Sequence, residues 1–216
     1  MVQDLLTSEE LVQIQQAVEQ SEANSGGEIV PVLARQSSFY ESAFWRAGFV
    51  FASLAGVVLS VLNFATDTLL LLPPYLWLLI VLMTGVLSAL FVQLVPSFKR
   101  LFVSRTVQEA RVLDQAKDMF YDHGVSFTEQ RTGILIYVSF FERRAVILAD
   151  IGINELVPHG VWEDILHQLM QGIRQGQRAA SLAKAITACG QLLEESGVQK
   201  AVEDGNELSD EVRFNS

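Results

Sequence analysis

Three acidic side chains lie where predicted strands begin or end, which is where ligands collect in α/β proteins. Glu28 opens one strand, Glu142 lies in a hairpin turn, and Asp150 ends the last strand of that hairpin. Carboxylate oxygens suit Ca²⁺ or Mg²⁺. The pattern therefore predicts a divalent-metal site formed by Asp150, Glu28 and Glu142. Asp150 is the catalytic candidate if such a metal activates water for phosphoester hydrolysis.

A structural role is the alternative for each of these carboxylates, and it is the interpretation that we prefer. Asp150 precedes a turn, so its side chain can cap that turn by accepting backbone N–H groups. Glu142 is followed by Arg143 and Arg144 and can pair with an arginine.

Sequence signatures of several common catalytic sites are missing. The chain has no Gly-x-x-x-x-Gly-Lys phosphate loop, no Gly-x-Ser-x-Gly nucleophile elbow and no Asp-x-Asp strand end. Cys189 is followed six residues later by Glu195, where a cysteine phosphatase loop needs an arginine. A phosphatase built on this sequence would therefore have to use carboxylates and a metal.

His159, Glu163 and His167 follow one another at four-residue intervals, so a helix through all three would align them as zinc ligands. The proline before His159 and the glycine after it indicate that this histidine precedes the helix. No third strong ligand is evident, so zinc is not the favoured interpretation.

The elements that must position these residues alternate between helix and strand. Thr7 or Ser8 can cap a first helix that ends at the Gly26-Gly27 pair. Residues 28–34 predict a short strand, in which Pro31 argues for an edge position or a bulge. Helix, β-hairpin, helix and helix then follow at residues 97–121, 132–149, 161–175 and 179–194. The tail from residue 197 lacks periodicity, which predicts an extended or loose segment.

Two long segments, residues 47–66 and 68–98, contain no charged side chain. About 20 helical residues cross a hydrocarbon core of roughly 30 Å. We therefore predict a transmembrane hairpin at residues 46–98, with crossings at about 47–66 and 75–95. Gly48, Gly56 and Gly85 would let the two helices approach closely. A pair of core helices in a soluble protein is the alternative.

Basic residues flank the predicted hairpin on its outer sides. The connector between the two crossings has no lysine or arginine, and its one charged residue is Asp67. The flanking residues are Arg35, Arg46, Lys99, Arg100, Arg105 and Arg111. The positive-inside rule therefore predicts that both flanks are cytoplasmic. The acidic first residues lack the basic and apolar regions of a signal peptide, so we expect no cleavable one.

Composition narrows the classes of function. The 216 residues are 50% hydrophobic and 19% charged, and the net charge is −10. This acidic balance argues against nucleic acid as a partner. A single cysteine, Cys189, excludes an intrachain disulfide and a cysteine-based zinc cluster.

Neither flank of the hairpin has enough apolar surface for a core of its own. The strand at 28–34 and the later β-hairpin should therefore share one sheet. This predicts a discontinuous α/β domain made of residues 1–45 and 99–196, interrupted by the hairpin at 46–98 and followed by a tail at 197–216.

The block from residue 123 to 153 has a pattern that runs from a histidine through Arg-Thr-Gly and Val-Ser to Leu-Ala-Asp-x-Gly-Ile. The residues of this pattern are His123, Thr128, Arg131, Thr132, Gly133, Leu135, Ile136, Val138, Ser139, Glu142, Arg143, Leu148, Ala149, Asp150, Gly152 and Ile153. In this pattern the chain resembles the TPM-domain family in its bacterial membrane-protein branch. Residues 206–210 are also similar to the tail of that branch, whereas Ile151 replaces a frequent arginine.

The resemblance implies an α/β/α sandwich with a small mixed sheet. Other TPM branches are linked to acid phosphatase activity, calcium binding, photosystem repair and regulation of membrane receptors. We expect a membrane-tethered, non-enzymatic module that binds a protein partner or a divalent ion. Its expected location is the bacterial inner membrane, with both termini cytoplasmic and contacts to lipid and to a membrane-protein partner. A metal-assisted acid phosphatase is the alternative, and a scaffold within a larger membrane assembly is a third hypothesis.

Overall fold

The computed structural model describes residues 6–66, 73–198 and 208–215. The chain forms two compact units, one from Met1–Ser37 and Glu109–Ser216 and the other from Ser38–Gln108. Most of the predicted connector at 67–74 and of the predicted tail at 197–216 lies outside the described residues.

The first unit contains a four-stranded mixed sheet with the strand order β3-β2-β1-β4. Its strands are β1 Glu28–Ala34, β2 Gly133–Ser139, β3 Arg144–Ala149 and β4 Arg213–Asn215. β1 runs parallel to both β2 and β4, whereas β2 and β3 form an antiparallel hairpin. The predicted strand at 28–34, the predicted hairpin and their union in one sheet are thus confirmed.

The sequence predicted an extended or loose tail, and β4 is extended, but its pairing with the sheet was not expected. The three residues of β4 pair with Val32–Ala34 of β1. A segment of three residues is too short to show a periodic sequence pattern. Its strand conformation comes from its pairing with β1.

Pro31 occupies a stretch of β1 that has a partner strand on one side only. The Ile29 N–H points away from β2, because it donates to Glu22 Oε1 at 2.8 Å. The backbone nitrogens of successive residues point to opposite edges of a strand, so the Pro31 nitrogen, two residues after Ile29, also points away from β2. In the described part of the chain β4 begins its pairing only at Val32, so the missing N–H of Pro31 costs no ladder bond.

Helices cover both faces of the sheet, which confirms the predicted α/β/α sandwich. Over both units together, the described helices are α1 Ser8–Asn24, α2 Glu41–Thr66, α3 Pro74–Leu94, α4 Pro96–Leu101, α5 Arg105–Asp122, α6 Ile151–Asn154, α7 His159–Arg174 and α8 Arg178–Glu195. The buried residues of α1, α7 and α8 pack with Ile134 and Ile136 of β2. Those of α5 pack with Leu135 and Tyr137 on the opposite face.

The start of α1 follows the predicted capping signal. The Thr7 hydroxyl accepts the Glu10 N–H at 3.2 Å, and the Glu10 carboxylate accepts the Thr7 N–H at 2.7 Å. This reciprocal pair satisfies two backbone donors that the first turn of a helix leaves without intrahelical partners.

The prediction of one helix over residues 97–121 is wrong, because α4 and α5 are separated at residues 102–104. The side chain of Ser104 accepts the Val107 N–H at 3.4 Å and so caps the new helix. The Gln108 amide donates to the Val103 carbonyl at 2.9 Å. Apolar periodicity continues across the break, and therefore hides it from a pattern-based prediction.

The second unit contains the two long apolar helices α2 and α3. A Cβ atom on Gly48 would lie 3.2 Å from the Gly85 carbonyl oxygen, and a Cβ atom on Gly85 would lie 3.1 Å from Ala52 Cβ. These two glycines therefore mark a close approach of the helices, whereas Gly56 has no such tight neighbour, its nearest atom being 4.0 Å away.

Both helices are long and apolar enough to cross a membrane. The most apolar windows of Glu41–Ala65 and Tyr75–Leu94 have mean hydropathies of 2.0 and 2.3. Only 6% and 17% of these windows are buried.

Gly133 begins β2 at a position with no room for a side chain. A Cβ atom there would lie 2.7 Å from Val125 Cγ1 and closer still to the Val125 carbonyl oxygen. We expect Gly133→Ala to lower the free energy of unfolding by about 1–3 kcal/mol, because the backbone must shift. Urea unfolding of the protein in neutral detergent measures this change.

Gly160→Ala is the matched control, because a Cβ atom on this residue of α7 meets nothing within 4 Å. This variant should be as stable as the parent or slightly more stable. Equal stability of the two variants would contradict the packing described for Gly133.

Candidate functional site

Glu28 and Asp150 lie at the same end of the sheet, on either side of Gly133. Glu28 is the β1 partner of Gly133, and the Asp150 N–H donates to the Gly133 carbonyl at 2.9 Å. Two strand spacings separate their backbones, which is about 10 Å. Both residues are at least nine-tenths buried, with exposed fractions of 9% and 5%.

The Asp150 carboxylate is engaged in local structure. Its Oδ1 accepts the Ile151 N–H at 2.7 Å and thereby caps α6. Its Oδ2 lies 3.1 Å from Arg131 Nε in an ion pair whose arginine is half exposed. The bond from the Ile151 N–H is the capping interaction that the sequence analysis preferred for Asp150.

Glu142 lies at the opposite end of the sheet, in the turn between β2 and β3. Its Oε1 accepts the Ser37 N–H at 2.9 Å, and its Oε2 accepts the Ser139 hydroxyl. β2 has seven residues from Gly133 to Ser139, so its two ends are about 20 Å apart. The structure thus brings Glu28 and Asp150 to one end of the sheet and places Glu142 away from them.

A buried acid that the sequence analysis did not single out, Glu22, lies near Glu28 and pairs with the partly exposed Asp210. Glu22 of α1 is 8% exposed and shares a side-chain hydrogen bond with Asp210. Burial is the main cause that raises the pKa of Glu22 to about 8, and the negative charges of Glu28 and Asp210 raise it further. The hydrogen bond from the Ile29 N–H opposes this shift. Glu22 therefore carries a proton at neutral pH.

Helical spacing is the signal that could have found this acid. Ile14 and Val18 lie on the buried face of α1, and Glu22 follows Val18 by four residues on the same face. An acid at such a position must be paired or protonated. The role of Asp210 had no comparable signal, because its position depends on the pairing of β4.

The histidines and the cysteine lie in different settings. Helix α7 begins at His159, so the expectation that this residue precedes the helix is wrong. Burial and the charge of Arg213 lower the pKa of His123. Burial raises the pKa of the Cys189 thiol to about 12, which leaves it a poor nucleophile.

Within residues 6–66, 73–198 and 208–215, no three His, Cys, Asp or Glu side chains are grouped so that they could hold a metal ion. Binding of Ca²⁺ or Mg²⁺ by Asp150, Glu28 and Glu142 stays a prediction.

Residues 90–192 match the model of the TPM domain. The fold is similar to that of BA42 from the psychrophilic bacterium Bizionia argentinensis, whose structure was determined by NMR. This similarity has a TM-score of 0.59 and 20% sequence identity, and it covers 97% of this chain and 95% of BA42. None of the curated proteins matches the sequence. The resemblance to the TPM-domain family is confirmed, whereas its assignment to the bacterial membrane-protein branch stays a prediction. The likeness to BA42 shows the fold.

The buried Glu22 makes stability depend on pH. Because its folded pKa of about 8 exceeds its ordinary value of 4.5, the folded state holds this proton more tightly than the unfolded state. Its contribution to stability is full below about pH 4.5 and is lost as the pH rises to about 8. Glu22→Gln mimics the protonated side chain, so this variant should keep more of its stability at pH 9 than the parent.

Urea unfolding at pH 5 and pH 9 measures the effect. Glu163→Gln on the exposed face of α7 is the control and should show the pH dependence of the parent. A Glu22→Gln variant that loses as much stability between the two pH values as the parent would contradict the assignment.

Proposed function

We propose that this chain, which carries a TPM domain, is a membrane-anchored binding module whose water-facing domain contacts a protein partner. The proposal has two parts. One is the anchor formed by α2 and α3, and the other is a binding rather than a catalytic role for the domain built on the sheet.

The observation that carries the proposal is the exposure of α2 and α3. Core helices of a soluble protein bury most of their apolar surface, whereas only 6% and 17% of these windows are buried. Side chains such as Phe49, Val57 and Leu87 are 76%, 60% and 58% exposed. An apolar surface of this extent needs lipid or another protein to cover it.

Charge distribution supports the direction of insertion. Arg35 precedes α2 and Arg46 lies near its start, whereas Lys99, Arg100 and Arg105 follow α3. Asp67 is the one charged residue of the connector. The positive-inside rule then favours a bacterial inner membrane with both termini in the cytoplasm. The domain would accordingly meet its partner at the cytoplasmic face of the membrane.

The state of the candidate catalytic groups supports a binding role. Asp150 caps α6 and pairs with Arg131, and Glu142 accepts hydrogen bonds from Ser37 and Ser139. Both carboxylates are thus used by the fold. Among the expected partners we favour a protein over a divalent ion.

The membrane part of the proposal predicts a sharp difference between two substitutions at exposed valines. Val57→Arg places a charge in the middle of α2, which costs about 2.5–3.5 kcal/mol in a membrane-inserted helix. Val12→Arg places the same charge on α1, where Val12 is 52% exposed. We expect only Val57→Arg to reduce the fraction of chain that stays in membranes after alkaline carbonate extraction.

The parent protein should resist carbonate and dissolve in neutral detergent. Recovery of the parent in buffer without detergent would contradict the anchor, and so would equal behaviour of the two arginine variants.

The metal-assisted phosphatase remains the second candidate, because Glu28 and Asp150 lie at the same end of the sheet. Asp150→Asn keeps an oxygen that can accept the Ile151 N–H, so the variant should stay folded. Under the binding proposal, the parent releases no more phosphate from p-nitrophenyl phosphate than Asp150→Asn does, with Mg²⁺ or Ca²⁺ present. Activity in the parent that the folded variant lacks would favour the phosphatase instead.

A further inference from the structure

A groove lies beside the first half of β3, the end strand of the sheet, and we call it the edge groove. It encloses a cavity of about 360 Å³, within the size range of ligand sites. Helix α5 lines one side and the end of α7 the other. The lining residues are Glu109, Val112, Leu113, Arg143, Arg144, Ala145, Val146, Met170 and Arg174.

The backbone of β3 has open hydrogen-bonding groups on the side that faces away from β2, where the groove begins. The Asp150 N–H donates to the Gly133 carbonyl, so Asp150 and every second residue before it bond to β2. The N–H and C=O groups of Ala145 and Ile147 must therefore point away from β2. No strand pairs with that side of β3 within the described residues. At Ala149 the outward carbonyl is already used, because it accepts Asn154 Nδ2 at 2.6 Å.

The edge groove is basic in a chain whose net charge is −10. Arg143, Arg144 and Arg174 line it together with one acid, Glu109. Arg144 Nη2 lies 2.7 Å from Glu109 Oε1. Arg143 and Arg174 are exposed and, in the part of the chain that the structure describes, form no ion pair.

We propose that the edge groove binds an acidic segment of a partner protein, which adds to β3 as an extra strand. Ala145 and Ile147 supply the main-chain hydrogen bonds, as in other cases of strand addition. Arg143 and Arg174 pair with the carboxylates of the segment, and Val112, Val146 and Met170 receive its apolar side chains. The proposal rests on the proposed binding role and deepens it by naming the surface and the chemistry of the partner.

A second copy of this chain fits the edge groove poorly. Pairing of β3 with its own copy would bring two sets of the same arginines together. Charged residues on an edge strand are a known protection against such self-pairing. An acidic partner turns the same charges into an attraction.

The test measures binding of a fluorescent, short peptide of alternating glutamate and valine to the full chain in neutral detergent, by fluorescence anisotropy. Two control peptides carry lysine in place of glutamate or N-methyl groups along one backbone edge. We expect the first peptide to bind and both controls to bind at least about tenfold more weakly. The assay needs no bilayer, so its failure is distinguishable from a failure of the membrane anchor.

Variants locate the site. Ala145→Pro removes an outward N–H while leaving the β2 ladder intact, and Ala145→Ser keeps that N–H. Arg143→Glu combined with Arg174→Glu reverses the free charges. We expect Ala145→Pro and the double variant to weaken binding about tenfold or more, and Ala145→Ser to bind like the parent.

Amide hydrogen exchange of the parent gives a readout that needs no variant. The peptide should slow exchange of the Ala145 and Ile147 amides. Absence of binding, equal binding of the N-methylated peptide, or unchanged exchange at these amides would overturn the proposal. Displacement of the peptide by inorganic phosphate without amide protection would indicate a small-anion site and would also overturn it.

Discussion

β1 pairs in parallel with β2 over its whole length, from Glu28 beside Gly133 to Ala34 beside Ser139. The chain between these strands contains α2 and α3, so the ladder joins segments from both sides of the apolar hairpin. Without β1, β2 would lose its central position and both layers of the sandwich would lose part of their core. The domain can therefore form only when the segments before and after the hairpin come together.

The end of the chain is attached to this ladder through both polar and apolar contacts. The Leu208 N–H donates to Glu28 at 3.3 Å, and Arg213 Nη1 donates to the His123 carbonyl at 3.0 Å. Asp210 adds its hydrogen bond to Glu22. Val212 and Phe214 also pack against the core, so polar bonds and apolar contacts together hold β4 beside β1. The hydrogen bond between Glu22 and Asp210 is one of these contacts.

Sequence patterns predicted the elements that depend on local residues and on strong periodicity. They include β1, the β2–β3 hairpin, the capped start of α1 and the two long apolar helices. The break between α4 and α5 was missed, because capping by Ser104 leaves the apolar pattern unchanged. β4 and the partnership of Glu22 with Asp210 were missed because both depend on contacts between residues distant in sequence. The same reason applies to the edge groove, since Arg143 and Arg174 meet only after the sheet has formed.

Hydrogen–deuterium exchange of the detergent-solubilised chain tests the union of the two flanks most directly. The amides of Val30 and Val32, which face β2, should exchange as slowly as those of Leu135 and Tyr137 in β2. All four should respond equally to low concentrations of urea, because they open only with the whole domain. Rapid exchange in β1 beside slow exchange in β2 would contradict the account, since it would mean that the later segment folds without the earlier one.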